Sequence, residues 1–160
     1  GTTTSFDVNY RSKLWSPESA RETLESLFPD VDLLLVAERD AREVLAREGD
    51  PRDIAAGLAD EFGFETVIVT RGEEGALALR DGETHEQSAI ETETLDPIGT
   101  GDAFLGAYLS RRIAGDSVPA ALEYGSATAA LKRTIPGDVA VVTREEVESV
   151  LAEEGGEISR

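Results

Sequence analysis

The chain has 160 residues, 40% of them hydrophobic, enough for one domain with a core of its own. It contains no cysteine and one histidine, His85, which excludes a disulfide, a thiol nucleophile, a thiolate metal site and a histidine-rich metal site. Its formal net charge is −18, with Asp and Glu spread along the whole length and only Lys13 and Lys132 as lysines, so neither nucleic acid nor an anionic membrane is expected as a partner. Such a spread is that of a halophile's solvated surface, the plainer alternative being an acidic mesophile protein, and loss of structure at low salt would separate the two. No apolar run nears the ~20 residues of a membrane span and no signal-peptide pattern opens the chain, so a cytoplasmic protein is expected.

Apolar periodicity alternates between strand-like and helix-like segments. Residues 5–9 read as a strand end. Ser16-Pro17 opens a helix that runs to about Phe28, with Ser as cap and Pro in the first turn. Val31 to Val36 is a continuous apolar run, as for a strand buried on both faces. Helices are predicted over 40–48 and from Asp50-Pro51 to Phe62, followed by a β-branched strand over 66–70. Residues 75–80 and 84–90 flank Asp81-Gly82, a hairpin signal. Helices are predicted over 101–114, 117–134 and 143–153, the last with a capping box from Thr143 to Glu146, and residues 154–160 are expected to fray. This order predicts an α/β sheet with helices on both faces, a single domain over 1–153, and a site at the carboxyl ends of strands.

The candidate chemistry falls at such ends: Asp7 to Arg11, Ala37 to Asp40, Thr70 to Gly75, and above all Asp96-Pro97-Ile98-Gly99-Thr100-Gly101-Asp102-Ala103-Phe104. A glycine-flanked turn opening a helix leaves backbone N–H groups aimed at one spot, and the helix dipole favours an anion there. Asp102, at the same helix start, can take a proton from a hydroxyl beside that anion. An anion cradle with a general base is the least equipment that moves a phosphoryl group onto an alcohol. Asp102 also suits a simple helix cap, and Arg11 at a strand end suits either a phosphate or carboxylate ligand or a surface ion pair. Gly72 and Gly75 suit a nucleotide loop or a plain turn, and Asp138 suits a turn after Pro136-Gly137. His85 is expected as an exposed strand residue, and Tyr10 and Trp15 as packing residues, with Trp15 in the core or at a subunit contact.

The stretch Asp96 to Phe104 resembles the second signature of the ribokinase-like, or PfkB, carbohydrate kinases, D-T-x-G-A-G-D-x-F, with Pro97 for the first Thr and Thr100 for the Ala. Phe6 to Trp15 resembles the D-x-N-x-R segment of the ketodeoxygluconate kinase and fructokinase branches. Thr70 to Gly75 resembles the nucleotide-side loop, and Pro136 to Val142 the closing segment of ketodeoxygluconate kinases. The four matches keep family order and span residues 6–142.

The resemblance implies the carboxy-terminal half of a ribokinase-like three-layer α/β/α sandwich. It implies ATP-dependent transfer to a primary hydroxyl of 2-keto-3-deoxygluconate, with the galactonate epimer as a second sugar. Asp102 would be the base, and Gly99, Thr100 and Gly101 the anion hole. Asn9, Tyr10 and Arg11 would lie near the phosphates, with Arg11 also at the substrate; Thr70, Arg71, Gly72, Glu73, Glu74 and Gly75 would border the nucleotide, and Asp138 would touch the sugar acid. ATP and Mg2+ would be the cofactors, the partners a sugar acid and a homo-oligomeric copy. The family's N-x-x-E magnesium-ordering segment reads Ala37-Glu38-Arg39-Asp40 here, so no metal residue is carried over. These kinases are much longer chains, and this one starts at the strand that opens their second half, so a carboxy-terminal portion is expected, the alternative being a standalone module. The other readings are a fructokinase or ribokinase relative and a nucleotide-binding fragment without catalysis.

Overall fold

A computed structural model of the protein describes residues 1–157, with 155–157 as helical backbone alone. The chain divides into two compact units, one of Gly1–Gly72 with Ala76–His85, the other of Glu73–Gly75 with the stretch from Glu86 onward.

The first unit is built on strands β1 (Ser5–Asp7), β2 (Leu33–Ala37), β3 (Thr66–Thr70) and β4 (Ala76–Arg80), with β5 (Glu83–Gln87) completing a five-stranded sheet in the order β1-β2-β3-β4-β5. β1, β2 and β3 are parallel and β4 runs antiparallel to β3. The register pairs Asp7 with Leu35 and Ala37 with Thr70, so the carboxyl ends of all three parallel strands share one edge. The expected apolar runs become β2 and β3 because neither face of either strand meets water: Leu34, Val36, Val67, Ile68 and Val69 are fully buried.

Helices α1 (Pro17–Leu27), α2 (Glu38–Glu43) and α3 (Pro51–Phe62) belong to the same unit. Ala20 and Leu24 of α1 and Ile54, Ala55 and Leu58 of α3 are the buried stripes. Phe28 anchors the core, with Phe62 and Phe64 edge-on at 4.9 and 5.2 Å between ring centres. Tyr10 joins this core. Trp15 stays 37% exposed outside the core cluster, which corrects the core half of its expected role.

Two elements of the first sheet and its helices differ markedly from their predicted bounds. The helix predicted over 40–48 starts at Glu38 and ends at Glu43, because the chain turns away through Ala46 at φ +51°, a left-handed conformation that a right-handed helix cannot contain and that the Ala46 β-carbon makes costly. The strand predicted to Ile90 ends at Gln87; His85 on it is half-buried rather than exposed, with Glu83 at 3.8 Å.

The second unit packs α4 (Thr100–Ile113), α5 (Val118–Arg133) and α6 (Arg144–Glu157). Phe104 and Tyr108 of α4 and Ala121, Leu122 and Ala127 of α5 are buried, and Ile90, Ala130 and Val147 extend this core. The Thr143–Glu146 capping box forms: the Glu146 amide donates to Thr143 Oγ1 at 3.3 Å, and the Thr143 amide to Glu146 Oε2 at 2.6 Å. α6 continues through residues 154–157, which were expected to fray; residues 158–160 lie outside the described residues.

Candidate active site

In the second unit, the turn before α4 is held by three independent restraints. The Asp96 carboxylate accepts from the Ile98 amide at 3.0 Å and the Gly137 amide at 2.9 Å. These two bonds, with a smaller contribution from the charge of Lys132, hold its pKa below the ordinary 3.8 against a small opposing effect of desolvation. Thr100 Oγ1 donates to the Pro97 carbonyl at 2.7 Å, closing the turn. Gly99 then caps the helix at φ +77°, and a Cβ built there would stand 2.2 Å from the Asp138 carbonyl oxygen. Gly99 is therefore glycine for two reasons, the left-handed backbone and the Asp138 main chain lying directly against it.

The helix start so held is open. Gly99 supplies no side-chain cap. The Thr100 amide turns back to Pro97 O at 3.3 Å and the Ala103 amide bonds Gly99 O at 3.0 Å. That leaves the amides of Gly101 and Asp102 with no acceptor among the described residues. Gly101 has nothing within 4 Å of its Cβ position and a negative φ, so neither packing nor backbone strain asks for glycine there. Open space there leaves the Gly101 backbone accessible to a close approach from outside. The Asp102 side chain is exposed and makes no hydrogen bond or ion pair among the described residues, so it is not spent as a cap. It lines a cavity of about 290 Å³ with Tyr124, Thr128, Ala140, Val142 and Thr143. The motif groups Asp96, Gly99, Thr100, Gly101 and Asp102, and the main chain of Asp138, whose side chain is exposed, lies against Gly99 from a separate turn.

In the first unit, Asn9 sits just past β1 with φ +39°, its amide on Asp7 Oδ1 at 3.2 Å. Tyr10, expected near the phosphates, has its ring in the core and its hydroxyl on Trp15 O at 2.9 Å, so its side chain is committed to packing. Arg11 is exposed; its guanidinium bonds only the Tyr10 carbonyl, at 3.4 Å, and pairs with no carboxylate among the described residues. In a chain of this charge an arginine without a carboxylate partner is a ready binder of an incoming anion.

At the carboxyl ends of β2 and β3, Ala37, Glu38, Arg39, Arg42, Thr70, Arg71 and Gly72 line a cavity of about 620 Å³. Arg39 lies in the expected stretch Ala37 to Asp40; Arg42, one turn further along α2, was not expected from sequence, and its signal was position shortly after an apolar strand. Glu73 and Glu74 stand in an exposed 3-10 turn over 72–74. Gly75, within the second unit, is set by packing: a Cβ would stand 2.0 Å from the Gln87 carbonyl oxygen.

The carboxylates nearest the expected metal-ordering segment are taken. Asp40 is buried and accepts from Arg39 Nε and Nη2 at 3.1 and 3.0 Å, while Glu38 accepts from Arg42 Nη2 at 2.6 Å. No group of three His, Asp or Glu that could hold a metal forms among the described residues. These side chains do not make a protein cage for a divalent cation. No helix among the described residues is long and apolar enough to cross a membrane.

The model of the pfkB family of carbohydrate kinases matches residues 1–144. A 2-dehydro-3-deoxygalactonokinase of Haloferax volcanii is 64% identical over 151 residues, which cover 94% of this chain and 48% of the relative. A solved 2-dehydro-3-deoxygluconokinase of Thermotoga maritima superposes with a TM-score of 0.84 at 30% identity, covering 94% of this chain and 50% of that one. An E. coli protein described as a ribokinase II, solved with ATP and Mg2+, superposes with a TM-score of 0.84 at 29% identity, covering 94% and 49%. The chain thus spans about half the length of the curated relatives it matches.

Proposed function

Since the chain belongs to the pfkB family of carbohydrate kinases and has the ribokinase-like α/β fold of its relatives, we propose that it carries phosphoryl-transfer machinery for a 2-keto-3-deoxy sugar acid, with ATP as donor. The observation that supports this reading above others is the open, braced start of α4, with Asp102 uncommitted beside two amides that lack acceptors. Asp102 takes the proton of the sugar's primary hydroxyl as that oxygen bonds the γ-phosphorus. The bond from the γ-phosphorus to the β,γ-bridging oxygen breaks, and its electron pair leaves with ADP. The Gly101 and Asp102 amides and the helix dipole offset the charge on the transferring oxygens, a donor of this kind contributing about 3–4 kcal/mol to the transition state. Arg11 and the arginine-lined cavity of the first unit are proposed to take anionic groups, phosphate or carboxylate. Magnesium, when present, would travel on the nucleotide's phosphates and neutralise part of their charge. Asp138 is proposed to contact the sugar acid from beside Gly99.

Of the two epimers, the name of the Haloferax relative favours 2-keto-3-deoxygalactonate over the gluconate that the motifs alone put first. The same relative fits the halophilic reading of the −18 charge. The test is an ADP-release assay of the full-length protein with both sugar acids, fructose and ribose. Turnover should be highest with the sugar acids, galactonate foremost. A preference for fructose or ribose would replace this reading by the fructokinase one, and ATP binding without turnover on any sugar would replace it by the non-catalytic one.

A further inference from the structure

Lys132 is fully buried at the last turn of α5, and is one of two lysines in the chain. A buried ammonium is expensive unless its environment compensates it. Here the compensation comes from two different loops: Nζ donates to the Ile135 carbonyl at 3.0 Å and to the Asp96 carbonyl at 3.4 Å. The residue after it works on the same segment. The Arg133 carbonyl accepts from the Leu95 and Asp96 amides at 2.8 and 3.0 Å, and its guanidinium donates to Ile90 O at 2.7 Å. Asp96 and the 135–138 turn are tied a second time by the carboxylate bond to the Gly137 amide. The end of α5 is thus the post to which the turn before α4 is fastened. A compact ammonium suits two carbonyls that converge from separate loops, where a planar guanidinium would not.

We propose that Lys132 is a positioning residue for phosphoryl transfer: its buried ammonium joins the loop carrying Gly99 to the turn carrying Asp138, and so fixes the open amides of α4 before the anion arrives. The proposal rests on the kinase reading of that site. Amides with no side-chain cap stabilise developing charge only if something other than the ligand holds them in place. Lys132 is buried and touches no ligand, so its loss acts through the loop. A displacement of about 1 Å at the amides lowers turnover by about 10²-fold, and binding of the ground-state sugar suffers less.

The experiment uses the full-length protein, its K132A and K132Q variants, and propylammonium, which replaces the atoms that K132A deletes. Wild-type phosphorylation of a sugar acid must be seen first; its absence overturns the kinase reading, and this proposal with it. Given that activity, folded K132A is expected to lose about 10²-fold in kcat while the sugar KM moves less than about threefold. Propylammonium should restore about tenfold or more, and neutral propanol nothing. A kcat within about threefold of wild type, or a loss that propylammonium leaves untouched in a variant that melts like wild type, overturns the positioning role alone. If K132A does not fold, K132Q decides, since it keeps a donor and most of the apolar stem: a kcat reduced about tenfold or more at unchanged KM supports the role, and an unchanged kcat overturns it.

Discussion

At the start of α3, Asp50 accepts from the Arg52 and Asp53 amides at 2.8 and 3.0 Å, and Asp53 returns a bond to the Asp50 amide at 3.3 Å. At the start of α4 the capping position is Gly99, and the amides of Gly101 and Asp102 have no acceptor among the described residues. Both helices begin after a Pro-containing or Gly-containing turn, and both carry an Asp in the first turn. In α3 that Asp closes the helix on itself; in α4 it faces a cavity. The difference separates a helix end whose donors are satisfied by its own cap from one whose donors, on the proposed function, are reserved for a ligand. It also shows where the reserved end gets its rigidity: from Asp96, Lys132 and the Asp138 backbone behind it, and not from a cap in front.

The largest effect that tests this contrast is chemical. In the full-length protein, D102A should lower turnover by about 10²–10⁴-fold while ATP affinity by calorimetry changes little, because a general base acts in the transition state. Near-normal turnover would remove Asp102 from the chemistry. Next comes G99A. It forces a β-carbon into the left-handed region and against the Asp138 carbonyl, and should destabilise the fold by about 2–3 kcal/mol in denaturant melts. A neutral G99A would mean that the Asp138 backbone moves aside freely, against the braced turn described above. D50A should cost about 1 kcal/mol of stability and leave the kcat of the folded protein unchanged, the mirror image of D102A.

The smallest effect is in the acid limb. The Asp96 carboxyl is held below its ordinary 3.8 by the Ile98 and Gly137 amides. A depressed folded pKa means stabilisation that is present above the unfolded value and lost as pH falls through the folded one. The stability gap between wild type and D96N should therefore be constant near neutrality and narrow as pH drops below 3.8. A gap independent of pH would show that the charge of Asp96 plays no part in tying the turn.

How much of this was legible in sequence follows from the same chemistry. The apolar runs that became β2 and β3, the Ser16 and Asp50 helix starts, the Thr143–Glu146 box and the glycine-framed start of α4 all rest on local rules, and residue order states them directly. The early end of α2 did not show, because Ala46 gives no sign that it will adopt a left-handed conformation. Tyr10 was expected both as a packing residue and near the phosphates; the core claims its ring and Trp15 O its hydroxyl, as the packing reading expects. The buried place of Lys132 was not legible because a lysine in the last turn of a helix ordinarily satisfies the dipole from solvent. Its spacing after Ala121, Gly125 and Thr128, all buried, puts it on the inner stripe of α5, and that was the available signal. The Ala37 to Asp40 stretch was legible as a strand end, but Arg42 was not; only the fold shows that the ends of two parallel strands open a cavity that Arg39 and Arg42 both line.

The most direct measurement is of the two helix starts together, by backbone amide NMR of the full-length protein on adding ADP, aluminium fluoride and the sugar acid, a mimic of the transferring phosphoryl group. The largest shifts should fall on the Gly101 and Asp102 amides, with the Arg52 and Asp53 amides of α3 unmoved. Gly101 and Asp102 amides that stay where they were, or that shift no more than those of α3, would contradict the assignment of α4 as the anion-binding end.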